Sequence, residues 1–257
     1  MNPVASRHGI DLESAQAEVR WLTSECAACG CELDALAYAV SHDLRAPLRA
    51  IDGFGHLLAE DCADGLDETG EDYLRRILAA AARMGRLLDD LLELSRVSRA
   101  DLRRSRVDLG RLASEVVAGL RAVESTREVT VTIADPLVAT GDPQLLRLVL
   151  QNLIGNAWKF TGERPHGHIQ LGSTERDGVP VVFVRDDGVG FEPRDAEKMF
   201  APFQRVRTTH ESTGNGMGLA IVWRIVRRHG GQVWAEGEPG RGATFSFTLA
   251  PAIGNPR

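Results

Sequence analysis

No run of 18 apolar residues occurs in the 257-residue sequence, so no segment has the make-up of a membrane-spanning helix. The opening Met1-Asn2-Pro3-Val4-Ala5-Ser6-Arg7-His8 has no apolar stretch of the kind a signal peptide needs. A basic excess is also missing. The net charge of -6 and pI near 5.7 leave no electrostatic footprint for nucleic acid, and the arginine-rich stretch from Arg96 to Arg106 reads as a solvated helix end. Cysteine is scarce. Cys26, Cys29 and Cys31 sit together without a nearby histidine, and Cys62 is distant; this is a weak metal signature and reads first as reduced thiols. Three thiols so close leave joint oxidation, and hence a sensing role, open. No repeat longer than a heptad and no low-complexity segment is present. These absences lead to the expectation of a cytoplasmic globular protein, and 43% hydrophobic and 26% charged residues agree with it.

What is present falls into two textures. From Leu33 to Leu58 apolar residues recur at three-and-four spacing through Leu36, Val40, Leu44, Leu48, Ile51 and Phe54, one face of a helix. Pro47 removes a backbone donor within it and should kink it. After a polar loop around Asp61 to Thr69, a second stripe runs through Leu74, Ile77, Leu78, Ala81, Met84, Leu88, Leu91 and Leu92. Two such helices make a hairpin whose stripes stay wet unless a second copy completes a four-helix bundle, so a homodimer is expected. Beyond about Arg106, short helices are predicted over Val107 to Leu120, Leu145 to Lys159 and Gly216 to His229. Strands are predicted at Val129 to Ile133, His168 to Thr174, Val179 to Arg185, Gln232 to Glu236 and Ala243 to Leu249, with Asp177-Gly178 as a hairpin turn. The mixture argues for an α+β sandwich with one sheet covered by helices. The chain thus divides into a connector (1–32), an all-α helical hairpin (33–104), the sandwich domain (105–250) and a loose tail (251–257).

Four motifs carry chemistry. In Ser41-His42-Asp43-Leu44-Arg45-Ala46-Pro47-Leu48, His42 lies two residues from both Val40 and Leu44 and projects away from the apolar stripe. Asp43 can accept its ring proton or orient the ring. Asn152 and Asn156, four residues apart, share a helix face that Lys159 continues. Neutral amide oxygens suit a hard cation already carrying phosphate charge. Asp186-Asp187-Gly188-Val189-Gly190 ends a valine-rich strand, and its glycines admit close backbone approach. Gly214-Asn215-Gly216-Met217-Gly218-Leu219 precedes an apolar helix, where backbone donors and the helix dipole favour phosphate. It matches neither the P-loop nor the Rossmann spacing.

In this order the motifs resemble the sensor histidine kinases of bacterial two-component systems, over roughly Leu33 to Leu249. The resemblance implies that His42 attacks the terminal phosphoryl group of ATP, with Asp43 as acid-base partner and Arg45 contributing charge. It implies that Asn156 ligates Mg2+, that Asn152 and Lys159 support the phosphates, and that Asp186 binds the adenine amino group in a pocket shaped by Gly188 and Gly190. Phe200 and Phe203 would anchor a lid over Thr208 to Asn215, Arg205 would reach the phosphates, and Gly214, Gly216, Gly218 and Leu219 would close on the nucleotide. Thr244 falls in the family's last glycine box. The implied acceptor is an aspartate on a response-regulator receiver domain, with a separate sensor protein as one source of input. Ala46 stands where many relatives carry Thr or Asn for dephosphorylation, so weak phosphatase activity is expected. Two other classes compete. A gyrase or chaperone-type ATPase shares the Asn helix and glycine boxes but needs a glutamate there, and Leu145 to Asn156 contains no acid. A non-catalytic scaffold would require degenerate site positions, and each is occupied by the expected residue type.

Overall fold

The computed structural model describes residues 38–62, 65–99, 101–204 and 215–250. Its first part is an antiparallel helical hairpin. Helix α1 (residues 38–61) passes through Pro47 without a break in helical assignment, and α2 (Glu68–Arg99) follows after a short turn. Asp67 caps α2, its Oδ1 accepting from the Gly70 N–H at 2.7 Å. Among the described residues no helix is long and apolar enough to cross a membrane.

The hairpin splits the expected stripe of α1 between an inner seam and an outer surface. The seam is built from Ser41, Leu48 and Gly55 of α1 against Leu74, Ala81, Leu88 and Leu92 of α2, all buried. A methyl group on Gly55 would lie 2.7 Å from Leu78 Cδ2, so the helices approach closely there. Val40, Leu44, Ile51, Phe54 and Leu58, the bulk of the predicted stripe, are exposed instead, Phe54 at 73%. The reason is that α1 has two adjacent heptad faces and only the one with small and mixed residues meets α2.

A sheet layer follows. Strand β1 (Ser105–Asp108) pairs antiparallel with β3 (Val138–Gly141) in a two-stranded sheet. Neither strand was expected, because four residues are too few to display an alternation. The predicted helix from Val107 therefore starts later, as α3 (Leu109–Val123), with Asp108 accepting from the Arg111 N–H at 2.8 Å as its N-cap. The larger sheet has the order β2-β4-β5-β7-β6, from Val129–Ile133, Gly167–Arg176, Val179–Asp186, Gly242–Thr248 and Val233–Glu238 respectively. Its β2–β4 pair is parallel and the others antiparallel. Asp177 (φ 54°) and Gly178 (φ 76°) form the β4–β5 turn, with both central residues left-handed as a two-residue hairpin requires.

Helices α3, α4 (Pro143–Phe160) and α5 (Gly218–Arg228) cover one face of this sheet. Inward-facing Ile169, Leu171, Val182, Val184, Phe245 and Phe247 share one core with Leu146, Leu150, Leu153 and Ile154 of α4 and Ile221 and Ile225 of α5. The arginine-rich stretch proves to be more than a solvated helix end. Arg104 donates to the His229 carbonyl at 2.9 Å, and Arg228 donates to the Val97 carbonyl, so the end of the hairpin is tied to the end of α5.

Candidate active site

Helix α4 positions the polar half of a cleft. Its N-terminus is held by Asp142, whose Oδ1 accepts from the Gln144 and Leu145 N–H groups at 3.0 and 3.2 Å. Buried His229 fixes the same point from behind: its Nε2 accepts from the Asp142 N–H at 2.9 Å while Nδ1 bonds the Ile225 carbonyl at 2.8 Å. That arrangement needs a neutral imidazole, and burial pushes the His229 pKa below its ordinary value. With Leu146, Val149, Leu150, Leu153, Ile154, Ala157 and Trp158 buried, the opposite face of α4 is left to present Asn152, Asn156 and Lys159 to the cleft.

The cleft has a volume of about 280 Å³. Its far end holds Asp186, buried at the end of β5, whose Oδ1 accepts from the Gly188 N–H at 2.9 Å. Burial pushes the Asp186 pKa up to about 6, against the pull of hydrogen bonds from the Gly188 and Ala243 backbone. Phe160, Phe191, Met199, Leu219 and Phe245 supply apolar walls. Gly190 (φ 65°) and Gly242 (φ 88°) let two backbones meet beside Asp186: a Cβ on Gly190 would lie 2.9 Å from the Gly242 carbonyl oxygen. Gly188 lies against the Phe160 carbonyl group, which a side chain would displace.

Asn152 donates from Nδ2 to the Leu148 carbonyl at 2.9 Å, which turns its Oδ1 toward Gly218 at the start of α5. Asn156 makes no side-chain hydrogen bond among the described residues and lines the cleft with its amide available. Lys159 Nζ lies 4.8 Å from the Phe160 ring centroid. The cleft therefore offers one acceptor carboxylate in an apolar end and amides with an ammonium group at the other. That set fits a purine nucleotide whose phosphates point toward Asn152, Asn156 and Lys159, and Asn156 fits an oxygen-preferring divalent cation.

Several sequence-predicted residues stand elsewhere. Thr244 points to the opposite side of β7, where its Oγ1 accepts from Arg185 Nε at 3.1 Å. The strand period of two turns Ala243 and Phe245 into the cleft instead. Phe203 is 57% exposed, with φ 62° and its N–H donating to the Gly216 carbonyl at 3.0 Å. It does not line the cleft, whereas Met199 is buried and does. Gly216, Gly218 and Leu219 line it as well, while Arg205, Gly214, the lid residues before Asn215 and Cys26, Cys29 and Cys31 lie outside the described residues.

The motif from Ser41 to Leu48 is on α1. His42 is 72% exposed in its side chain, and its Nδ1 lies 3.2 Å from Asp43 Oδ1. Arg45 does not share that surface: it pairs across the seam with Asp89 of α2, because position 45 falls on the heptad face that meets α2. The next residue, Asp90, lines the cleft and accepts from Asn215 Nδ2 at 3.1 Å. Through Arg45, Asp89 and Asp90, the cleft mouth and His42 stand at one level of the hairpin. Asp90 had no distinguishing signal in the sequence, since adjacent acids on a long helix ordinarily mark a solvated face.

Two family descriptions match the chain: the His Kinase A phospho-acceptor domain over residues 32–99 and the histidine kinase-, DNA gyrase B- and HSP90-like ATPase over residues 141–253. The chain belongs to the sensor histidine kinases. It is similar to the methanogenesis regulatory histidine kinase FilI of Methanothrix harundinacea, 38% identical over 96% of this chain and 28% of that one. It is also similar to the sensor histidine kinase WalK of Bacillus subtilis, 33% identical over 82% of this chain and 35% of that one. The chain thus spans about a third of the length of these relatives. Among solved structures, full-length ShkA in complex with AMPPNP aligns with a TM-score of 0.60 and 30% identity, covering 83% of this chain and 45% of that one.

The raised pKa of Asp186 has a stability consequence. The unfolded chain ionises this group near 3.8 and the folded chain near 6. The folded state therefore holds an extra proton between those values, and its stability falls as pH rises from below 4 through 6. Asp186→Asn lacks that dependence. In urea denaturation without nucleotide, the stability of the variant relative to wild type should shift in its favour by up to about 3 kcal/mol from pH 4 to pH 8. A pH-independent difference would show that the carboxyl is not held protonated.

Proposed function

We propose that the chain is the catalytic core of an ATP-dependent protein histidine kinase, which phosphorylates His42 and passes the phosphoryl group to an aspartate of a response regulator. The observation that carries this reading is the pairing of two features at one level of the hairpin: an exposed His42 bonded to Asp43, and a cleft with a buried carboxylate at one end and amides at the other. With Nδ1–H donated to Asp43, the Nε2 lone pair is free to attack the terminal phosphorus of ATP. The N–P bond forms as the bond to the bridging oxygen breaks, ADP leaves, and Asp43 takes the Nδ1 proton. Asp186 receives the adenine amino group, while Asn152 and Lys159 hold the phosphates. Mg2+ held by Asn156 would neutralise phosphate charge. The hydrolytic alternative lacks support, because no acidic side chain projects from Leu145 to Asn156.

The same reading divides the chain into a dimerisation and phosphotransfer domain (33–104) and an ATP-binding domain (105–250), supported by the end of α2 at Arg99 and the start of β1 at Ser105. It makes the protein a cytoplasmic homodimer. Val40, Leu44, Ile51, Phe54 and Leu58 on α1, with Tyr73, Ile77 and Met84 on α2, form an exposed apolar surface that a second hairpin would bury. Ala46, exposed one turn after His42, has no group to orient water, so dephosphorylation of the regulator is weak.

Incubation with Mg2+ and γ-labelled ATP should give acid-labile, alkali-stable protein label that is absent from His42→Gln. Steady phosphate release without protein label would overturn the kinase reading in favour of an ATPase. Phe54→Glu should convert the dimer to a monomer in sedimentation while the far-UV spectrum is kept; an unchanged sedimentation coefficient would place the dimer surface elsewhere. Nucleotide-free protein added to the phosphorylated regulator should leave its half-life unchanged, and acceleration that requires the His42 region would refute weak phosphatase activity.

A further inference from the structure

Asp90 belongs to the hairpin, yet its side chain forms part of the cleft wall together with Asn152, Asn156 and Lys159 of α4. The contact that holds it there is the 3.1 Å hydrogen bond from Asn215 Nδ2 to Asp90 Oδ2. Asn215 leads directly into Gly216 and Gly218, and Gly218 lies so close to the Asn152 amide oxygen that a Cβ there would overlap it. Asp90 therefore stands at the amide end of the cleft, opposite Asp186. Packing between α2 and α5 supports this seat, with Leu94 of α2 sharing a groove with Phe200, Pro202 and Trp223. Asp89, one residue earlier, points away from the cleft to Arg45.

A carboxylate in this position has no obvious use for binding a polyphosphate. Like charges in a half-buried cleft repel more strongly than in open water; the amides of Asn152 and Asn156 are neutral, and the ammonium group of Lys159 carries too little charge to offset both Asp90 and a polyphosphate. We propose that Asp90 is a specificity-determining residue of the nucleotide site. It places a negative charge from the phosphoacceptor hairpin at the phosphate end of the cleft, so the site disfavours a bare polyphosphate tail and favours one neutralised by a divalent cation. This inference rests on the nucleotide reading of the cleft. Adenosine, which has no phosphates, is indifferent to Asp90, and the penalty grows with the charge of the ligand.

The test is calorimetric titration of the full chain with adenosine, ADP and ATP, each with and without Mg2+, in low salt. Wild type is compared with Asp90→Asn, Asp90→Ala and Asp89→Asn. Both Asp90 variants should bind metal-free ATP about ten-fold more tightly than wild type. The gain should be smaller for ADP, absent for adenosine, and reduced when Mg2+ is present. Asp89→Asn should leave the ATP-to-adenosine affinity ratio at its wild-type value. An unchanged ratio in both Asp90 variants, or an equal rise in Asp89→Asn, would overturn the proposal while leaving the nucleotide reading intact. Wild type that binds none of the three ligands would overturn the nucleotide reading and the proposal with it.

Discussion

The burial of one face of α4 is the constraint on which the rest of the structure depends. Seven residues of that helix are buried in the shared core, and burial of large apolar side chains is worth roughly 1.5–3 kcal/mol apiece before entropy is counted. Once that face is committed, rotation of α4 is fixed and Asn152, Asn156 and Lys159 have one direction left. Axial position is set separately, by the Asp142 cap and by the neutral His229 that spans Asp142 and Ile225. A hydrophobic interface thus aims polar groups that could not aim themselves, since amide and ammonium side chains on a free helix would sample many rotamers.

The other end of the cleft depends on backbone proximity. Gly188, Gly190 and Gly242 bring the end of β5, the end of α4 and the β6–β7 turn into contact around Asp186. Arg164 reinforces the meeting point, donating to the Asp187 and Gly240 carbonyls at 2.9 and 2.7 Å. Loops packed this tightly exclude water, and the exclusion raises the pKa of Asp186 and makes its few hydrogen bonds matter.

The hairpin divides its surface between three tasks. Its inner seam holds α1 to α2, its outer apolar stripe stays available for a second copy, and α2 also contacts α5. Asp89 and Asp90 show how closely these tasks are spaced. Adjacent carboxylates on one helix face opposite structural environments, one toward Arg45 of α1 and the other toward the cleft. A helix turn of about 100° per residue is enough to separate them.

Much was legible in the sequence because it is local. The α4 pattern, the Asp177-Gly178 turn, the strand at Val129–Ile133 and the spacing of Asn152, Asn156 and Lys159 follow from periodicity and turn chemistry, and motif order alone pointed to the histidine kinases. Short β1 and β3 were not legible, since a four-residue strand exists only through its partner. Thr244, implied by the family's last glycine box, turns away from the cleft, because which alternate residues face the helices is decided by the layer packed on the sheet. The same limit explains Phe203, Arg45 and the split hairpin stripe: composition shows that apolar and charged groups are present but not which neighbour each will meet. By itself the sequence determined the helices, the strands of the larger sheet, their order and the chemical types available. Tertiary structure alone decided that Asp186 is buried, that Arg45 pairs with Asp89 and that Asp90 enters the cleft, because each depends on contacts between segments far apart in the chain.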